Sequence, residues 1–356
     1  MNVDVNSRIR AYREFKGLTQ QELGNRMSVT RQTVAAWEKG ESTPTVAQVF
    51  RLAGELEVPA DLIFGLASSE LPLLFRADEP SVLVPELKAI LARRADDYSA
   101  VERALGLVPA LPETRPMDGY ESDIVEEVAH DVRTWLGVEE GPLHDGISLL
   151  EDKGLKVMLY PLPDEVSGFS AYTDESGGVI FINEGHPMER QIFTAFHEVA
   201  HLICHRQDYR RPSLKGKRDD PREKIANHFA GAVLLPKEAL MRELRSYRGR
   251  WLPEAPLRDI KIRYQVSMRT IVIRAAQIGI ISKKQEGQQI GVLDKKYGRH
   301  NEPAQLERSQ ARPRLERLVF SALVEEVITA SRGAEIMGRP LLDVREELAQ
   351  WTETPR

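Results

Sequence analysis

The sequence predicts a mainly helical α+β fold in which a small β-sheet sits among helices. Three observations carry this. Apolar residues recur at helical spacing along most of the chain. Only two short stretches, Leu155 to Leu162 and GGVIFIN, read as strands. Two proline-rich breaks, LPLLFRADEPSVLVPE from Leu71 and LVPALPETRPMDG, interrupt the helical runs. They divide the chain into an N-terminal helical domain (1–70), a linker with one helix (71–117), a mixed domain (118–281), and a loop with a helical tail (282–356).

A length of 356 residues suits two or three domains, and 42% apolar with 29% charged residues suits chains that bury a real core. The formal net charge of -5 gives no global basic character, so nucleic-acid binding has to come from a local patch. Cys204 is the single cysteine, so no intramolecular disulfide forms, as expected in a reducing compartment. MNVDVNSRIRAYREF carries no apolar segment behind a basic start, and no run of about 18 apolar residues follows. The expectation is a cytoplasmic protein without membrane contact.

From residue 7 to 66 the chain reads as several short helices. Thr19 precedes a helical run with Glu22 three residues on, a capping box, and Leu23 and Met27 supply that helix's buried face. Val29 and Thr30 make a turn, and Thr30 caps the next helix, Arg31 to Lys39, which Gly40 ends. Burying Val34 and Trp37 turns Arg31, Gln32, Thr33 and Ala36 the other way. Two short helices across a tight turn are the geometry that docks a second helix in the DNA major groove. Glutamine and arginine are suited to bidentate contacts with adenine and guanine edges. Gln20, in the first turn of the earlier helix, is placed to meet phosphate or an adjacent base edge.

Charge is segregated to match. Residues 1–40 hold Arg8, Arg10, Arg13, Lys16, Arg26, Arg31 and Lys39 against four acids, whereas over 41–66 only Arg51 opposes Glu41, Glu55, Glu57 and Asp61. The stretch from Ile9 to Phe64, above all TRQTVAAWEKG, resembles the Cro- and cI-like repressor domain often called XRE-type. That resemblance implies a five-helix domain acting as a homodimer on a double-stranded DNA operator.

A helix is expected from Pro85 to about Leu105, and another over ESDIVEEVAHDVRTWLG, where Ile124, Val128, Val132 and Leu136 are spaced by four. A short helix ending at Gly154 leads into the first strand.

The strongest chemical signal is FTAFHEVAHLICH. His197 and His201 stand one helical turn apart, so both imidazoles project from one face toward one ion. Glu198, beside the first histidine, is placed to take a proton from water at that ion. Ile192, Phe196, Val199 and Ile203 form an apolar stripe on the opposite side, so the helix is buried with its polar face on a cleft. A third ligand is sought downstream. Glu223 in PREKIANHFAGAVLLPKEAL shares a face with Ala226, Asn227 and Ala230, and Asp219 and Asp220 are the alternatives in an irregular charged stretch. His228 lies five residues from Glu223, about 140° around the helix, and is poorly placed for the same ion. Cys204 is expected to pack as a small apolar group and His205 to hydrogen-bond nearby.

Between Ile124 and Ile281 the chain resembles the ImmA/IrrE metallopeptidase family, on GFS at Gly168 to Ser170, VIFIN, RQIFTAFHEVAHLICH and EKIANHFAGAVLLP with Pro236. The resemblance implies a gluzincin-like core and one zinc per chain held by His197, His201 and Glu223, with Glu198 as catalytic base. It implies repressor-type proteins, cut at one site, as substrates. The two resemblances together lead us to expect a DNA-binding transcriptional regulator with a zinc endopeptidase domain. The alternative is a non-catalytic repressor or antitoxin whose second domain senses or dimerises.

LRDIKIRYQVSMRTIVIRAAQIGII reads helix, turn, helix, and is expected to pack within the second domain rather than on DNA. KKQEGQQIGVLDKKYGRHNEPAQ is expected to be a loop with at most one strand, before two or three helices over Leu315 to Trp351.

Overall fold

The computed structural model describes residues 5–65, 84–108, 111–207, 220–298, 301–307 and 311–352. Most of the proline-rich linker after Leu71, most of the charged stretch after Arg206, and Asp219 lie outside the described residues.

In chain order, five short helices come first: α1 (Val5–Phe15), α2 (Gln20–Met27), α3 (Arg31–Lys39), α4 (Val46–Leu56) and α5 (Ala60–Phe64). Then follow α6 (Pro85–Ala104), α7 (Ser122–Leu136) and α8 (Gly146–Asp152), before the strands β1 (Lys156–Tyr160), β2 (Gly168–Thr173) and β3 (Gly177–Asn183). The rest is helical: α9 (Met188–Cys204), α10 (Pro221–Leu234), α11 (Lys237–Glu243), α12 (Glu254–Tyr264), α13 (Met268–Gln277), α14 (Lys283–Tyr297), α15 (Arg314–Val324), α16 (Ala330–Met337) and α17 (Leu341–Thr352). The fold is thus mainly helical with one small sheet. No described helix is long and apolar enough to cross a membrane.

Two compact units form. One gathers α1–α6 and, after a long excursion of the chain, α15–α17. Val101 of α6 packs with Val319, Phe320 and Leu323 of α15, and buried Asp97 is bridged to Arg332 of α16. The helical tail therefore completes the N-terminal unit instead of standing as a region of its own.

The other unit holds the sheet and α7–α14. Strand order is β1-β3-β2, with β1 parallel and β2 antiparallel to the central β3, which is buried at every position. A central strand covered on both faces reads as a continuous apolar run, and VIFI is one. α9 packs on the sheet and against α10, which also meets α7. Buried Ala226 and Ala230 allow that approach. Ile192, Phe196, Val199 and Ile203 are all buried in this core, each worth roughly 1.5–3 kcal/mol of transfer energy. Arg133 of α7, also buried, donates to the carbonyls of Glu139, Gly141 and Val233, and burial pushes its guanidinium down to about 10.

Two expectations need correction. The segment read as a loop after Ser282 is instead the helix α14. Ser282 and Gln285 form a capping box, Leu293 reaches the core, and the Gln289 amide binds the backbone of Leu252 in both directions. Gly287, Gly291 and the many polar residues hid this helix, which tertiary contacts hold in place. The strand β2 was not expected either. It has a weak pattern of its own and forms by pairing with β3, Gly168 opposite Ile182 through Thr173 opposite Gly177.

Candidate functional site

α9 and α10 together build a cluster of three side chains. His197 Nε2 lies 3.1 Å from His201 Nε2, and the Glu223 carboxylate lies 3.2 Å from His197 Nε2 and 3.3 Å from His201 Nε2. Zn–N bonds of about 2.0–2.1 Å at tetrahedral angles place ligand atoms about 3.3 Å apart, so this donor set has the dimensions and chemistry that fit a zinc ion. Burial alone would raise the Glu223 carboxyl, but hydrogen bonds from His197 and His201 outweigh it and hold the group well below the usual range.

The far side of each imidazole is also occupied. Asn227 Oδ1 lies 3.1 Å from His197 Nδ1, and His205 Nδ1 lies 2.9 Å from His201 Nδ1. A metal bound at the centre would take both Nε2 lone pairs, leaving each Nδ1–H to these partners. Glu198 is buried, and its Oε2 accepts from Ser170 Oγ at 2.6 Å, across from β2.

The sequence had placed Asn227 on the Glu223 face and His205 one turn past His201, but gave neither a defined partner. Ser170 was visible only as the last residue of the GFS motif. Asp220 is not in the cluster: it caps α10 and is salt-bridged to Arg222. Cys204 packs in the apolar core, where burial pushes its thiol up to about 12. His228 belongs to a separate buried network, with Tyr120 Oη at 3.0 Å, Glu126 Oε1 at 2.8 Å and Arg274 at 3.1 Å. Tyr172 lies under the Arg206 guanidinium, 4.9 Å from its ring centre.

In the N-terminal unit, α2 ends on Ser28 in the left-handed region and α3 starts from Thr30, whose hydroxyl accepts from Thr33 N. The turn is tight enough that a Cβ on Gly24 would sit 3.0 Å from Val29 O and press on the turn's backbone. Val34 and Trp37 are buried, Arg31, Gln32 and Lys39 are exposed, and Thr33 and Ala36 are half-buried. Gln20 is held within the unit, its amide donating to Glu38 at 2.8 Å beside the buried Arg13–Glu38 pair. The α12–α13 turn repeats the geometry, with Gln265 left-handed and Ser267 capping toward Thr270. There, however, Met268, Ile271, Val272 and Ala275 pack into the core of the second unit.

Comparison with known proteins follows the same division. Residues 9–63 match the helix-turn-helix family model, and residues 150–276 match that of the IrrE N-terminal-like domain, a peptidase family. An HTH-type transcriptional regulator of Methanothermobacter thermautotrophicus is 48% identical over 48 residues, which is 14% of this chain and 70% of that protein. A second, from Methanocaldococcus jannaschii, is 33% identical over 60 residues, 17% of this chain and 91% of that protein. The crystal structure of Bacillus thuringiensis PlcR in complex with the peptide PapR7 and DNA aligns over 99% of this chain and 100% of that one. Its identity is 11% and its TM-score 0.19, below the level of a shared overall fold.

Proposed function

Since the chain belongs to the HTH-type transcriptional regulators and carries an IrrE N-terminal-like domain, we propose that this second domain is a zinc-dependent endopeptidase cleaving a repressor-type protein. The observation that supports this most is the convergence of His197, His201 and Glu223 on one point, with Glu198, next to His197 in the chain, held by Ser170. His197, His201 and Glu223 would hold the metal. A zinc ion there supplies Lewis acidity to a peptide carbonyl and to water. The protein's own groups do the rest. Glu198 accepts the proton of the attacking water and returns it to the departing nitrogen. The bond from Ser170 engages Oε2 and restrains the carboxylate. Asn227 and His205, at the two Nδ1 atoms, are placed to hold the imidazoles with Nε2 toward the centre once a metal is bound.

On the N-terminal side, the reading assigns DNA contact to Gln20, Thr30, Arg31, Gln32, Thr33, Ala36 and Lys39, with a homodimer on a two-fold operator. Arg31 and Gln32 are exposed at the start of a capped helix and are free to reach base edges. Gln20, already bonded to Glu38, orients that carboxylate and approaches the backbone only at the edge of the contact.

The test is incubation of the full chain with candidate helix-turn-helix repressors, with and without chelator, followed by mass spectrometry. One discrete, chelator-sensitive cut is expected. Intact repressors in both conditions would favour a domain that senses or dimerises without cleaving.

A further inference from the structure

A cavity of about 710 Å³ opens beside the three-residue cluster, between α9 and α10 on one side and α13 and α14 on the other. Its wall includes Asn227, the partner of His197 Nδ1, and reaches along α9 to Phe193, one helical turn before His197. Its volume lies in the range of roughly 300–1,000 Å³ typical of ligand sites. It exceeds any single side chain, so it suits a segment of polypeptide.

Two features of the wall are costly to the fold and bring it no packing in return. Gly231 sits inside α10, where glycine weakens a helix, yet it needs no glycine conformation. A Cβ there would meet nothing nearer than Arg274 Cδ at 3.8 Å. Across the cavity, Ile273 remains 37% exposed on a helix where Met268, Ile271, Val272 and Ala275 are buried. A missing side chain on one helix and an uncovered one on the facing helix keep the space open and apolar.

The charges around it are engaged within the protein. Three cations and three carboxylates line the cavity. Arg269 is bridged to Asp294 and Glu302, Arg274 to Glu126, and Glu189 to buried Lys261, while Arg190 donates to Ser167 Oγ at 2.7 Å. An uncharged occupant therefore leaves these contacts in place.

We propose that this cavity binds the substrate polypeptide next to the scissile bond and selects a large apolar side chain, with Phe193, Gly231 and Ile273 as its specificity-determining residues. This rests on the peptidase reading and adds to it the class of sequence that is cut.

The test uses the full chain carrying Glu198→Gln, so that peptides bind without being cleaved, and fluorescein-labelled Gly/Ser decapeptides with one central residue varied among Leu, Phe, Ala, Asp and Lys. Fluorescence anisotropy should show the Leu and Phe peptides binding at least about tenfold more tightly than the other three. Adding Gly231→Leu, which fills the space, or Ile273→Asp should abolish that preference with zinc content and circular dichroism unchanged. Val292→Asp, on α14 but away from the cavity wall, should preserve it. A preference that survives both wall variants overturns the assignment, as does tighter binding of the Asp or Lys peptide or no binding by any peptide. Each of those results leaves the peptidase reading standing if a repressor is still cut. Conversely, apolar preference without any chelator-sensitive cleavage would keep the cavity and sink the peptidase.

Discussion

Ser170 Oγ donates to Glu198 Oε2 at 2.6 Å, joining an edge strand of the sheet to the helix that carries the paired histidines. Both residues are buried, so the bond is shielded from competing water and restrains the carboxylate. Ser170→Ala should lower kcat on the order of tenfold, since it loosens the base without removing it, and should leave zinc content unchanged. An unchanged rate would show that the bond is structural only.

The two imidazoles have different outer partners, and this separates residues that are adjacent in sequence. Asn227→Ala removes the acceptor at His197 Nδ1 and should weaken zinc binding roughly 10–100-fold in a competition titration. His228→Ala, one position on, should leave zinc affinity intact and instead reduce stability, because Glu126 and Arg274 lose a buried partner. Equal effects of the two variants on zinc would contradict the separation.

That same network sets an acid limit. Burial raises the Glu126 carboxyl, but hydrogen bonds from His228 and Arg274 outweigh it and hold the group down at about 2, against an ordinary 4.5. A folded value below the unfolded one gives stability that is complete above about pH 4.5 and is lost as pH falls toward 2. Glu126→Gln should lower the urea midpoint at neutral pH and flatten its decline across that window. An acid limb as steep as in the unaltered protein would exclude Glu126 as its source.

At the DNA end, Gln32→Ala should reduce discrimination at one base position by roughly 1–3 kcal/mol, while Lys39→Ala should weaken all sequences alike. Footprinting and competition binding read both. A footprint without two-fold character, or an unchanged preference in Gln32→Ala, would remove Gln32 from the reading role.

Much of this was legible in the sequence because it depends on short-range rules. Thr19 with Glu22 and Thr30 with Thr33 cap their helices through side chains three residues apart. His197 and His201 share a face because four residues make about one turn. What stayed hidden depends on residues far apart in the chain. Ser170 reaches Glu198 across 28 positions, and Glu126 reaches Arg274 across 148. β2 forms by pairing with β3, and α14, despite its Ser282–Gln285 capping box, carries two glycines and is held by tertiary packing. The return of α15–α17 to the N-terminal unit has no local sign, since either unit could have buried the same apolar stripes.

The central claim is that Glu198 acts as a base beside a zinc held by His197, His201 and Glu223. Glu198→Gln tests it most directly, because it removes the base while keeping a side chain of similar shape. Zinc content and operator affinity should match those of the unaltered protein, while the discrete cut in the repressor, followed by mass spectrometry, falls by several orders of magnitude, within the range that general-base catalysis and its coupled steps supply. A Glu198→Gln protein that still cuts at the original rate, or one that has lost its zinc, would contradict the account.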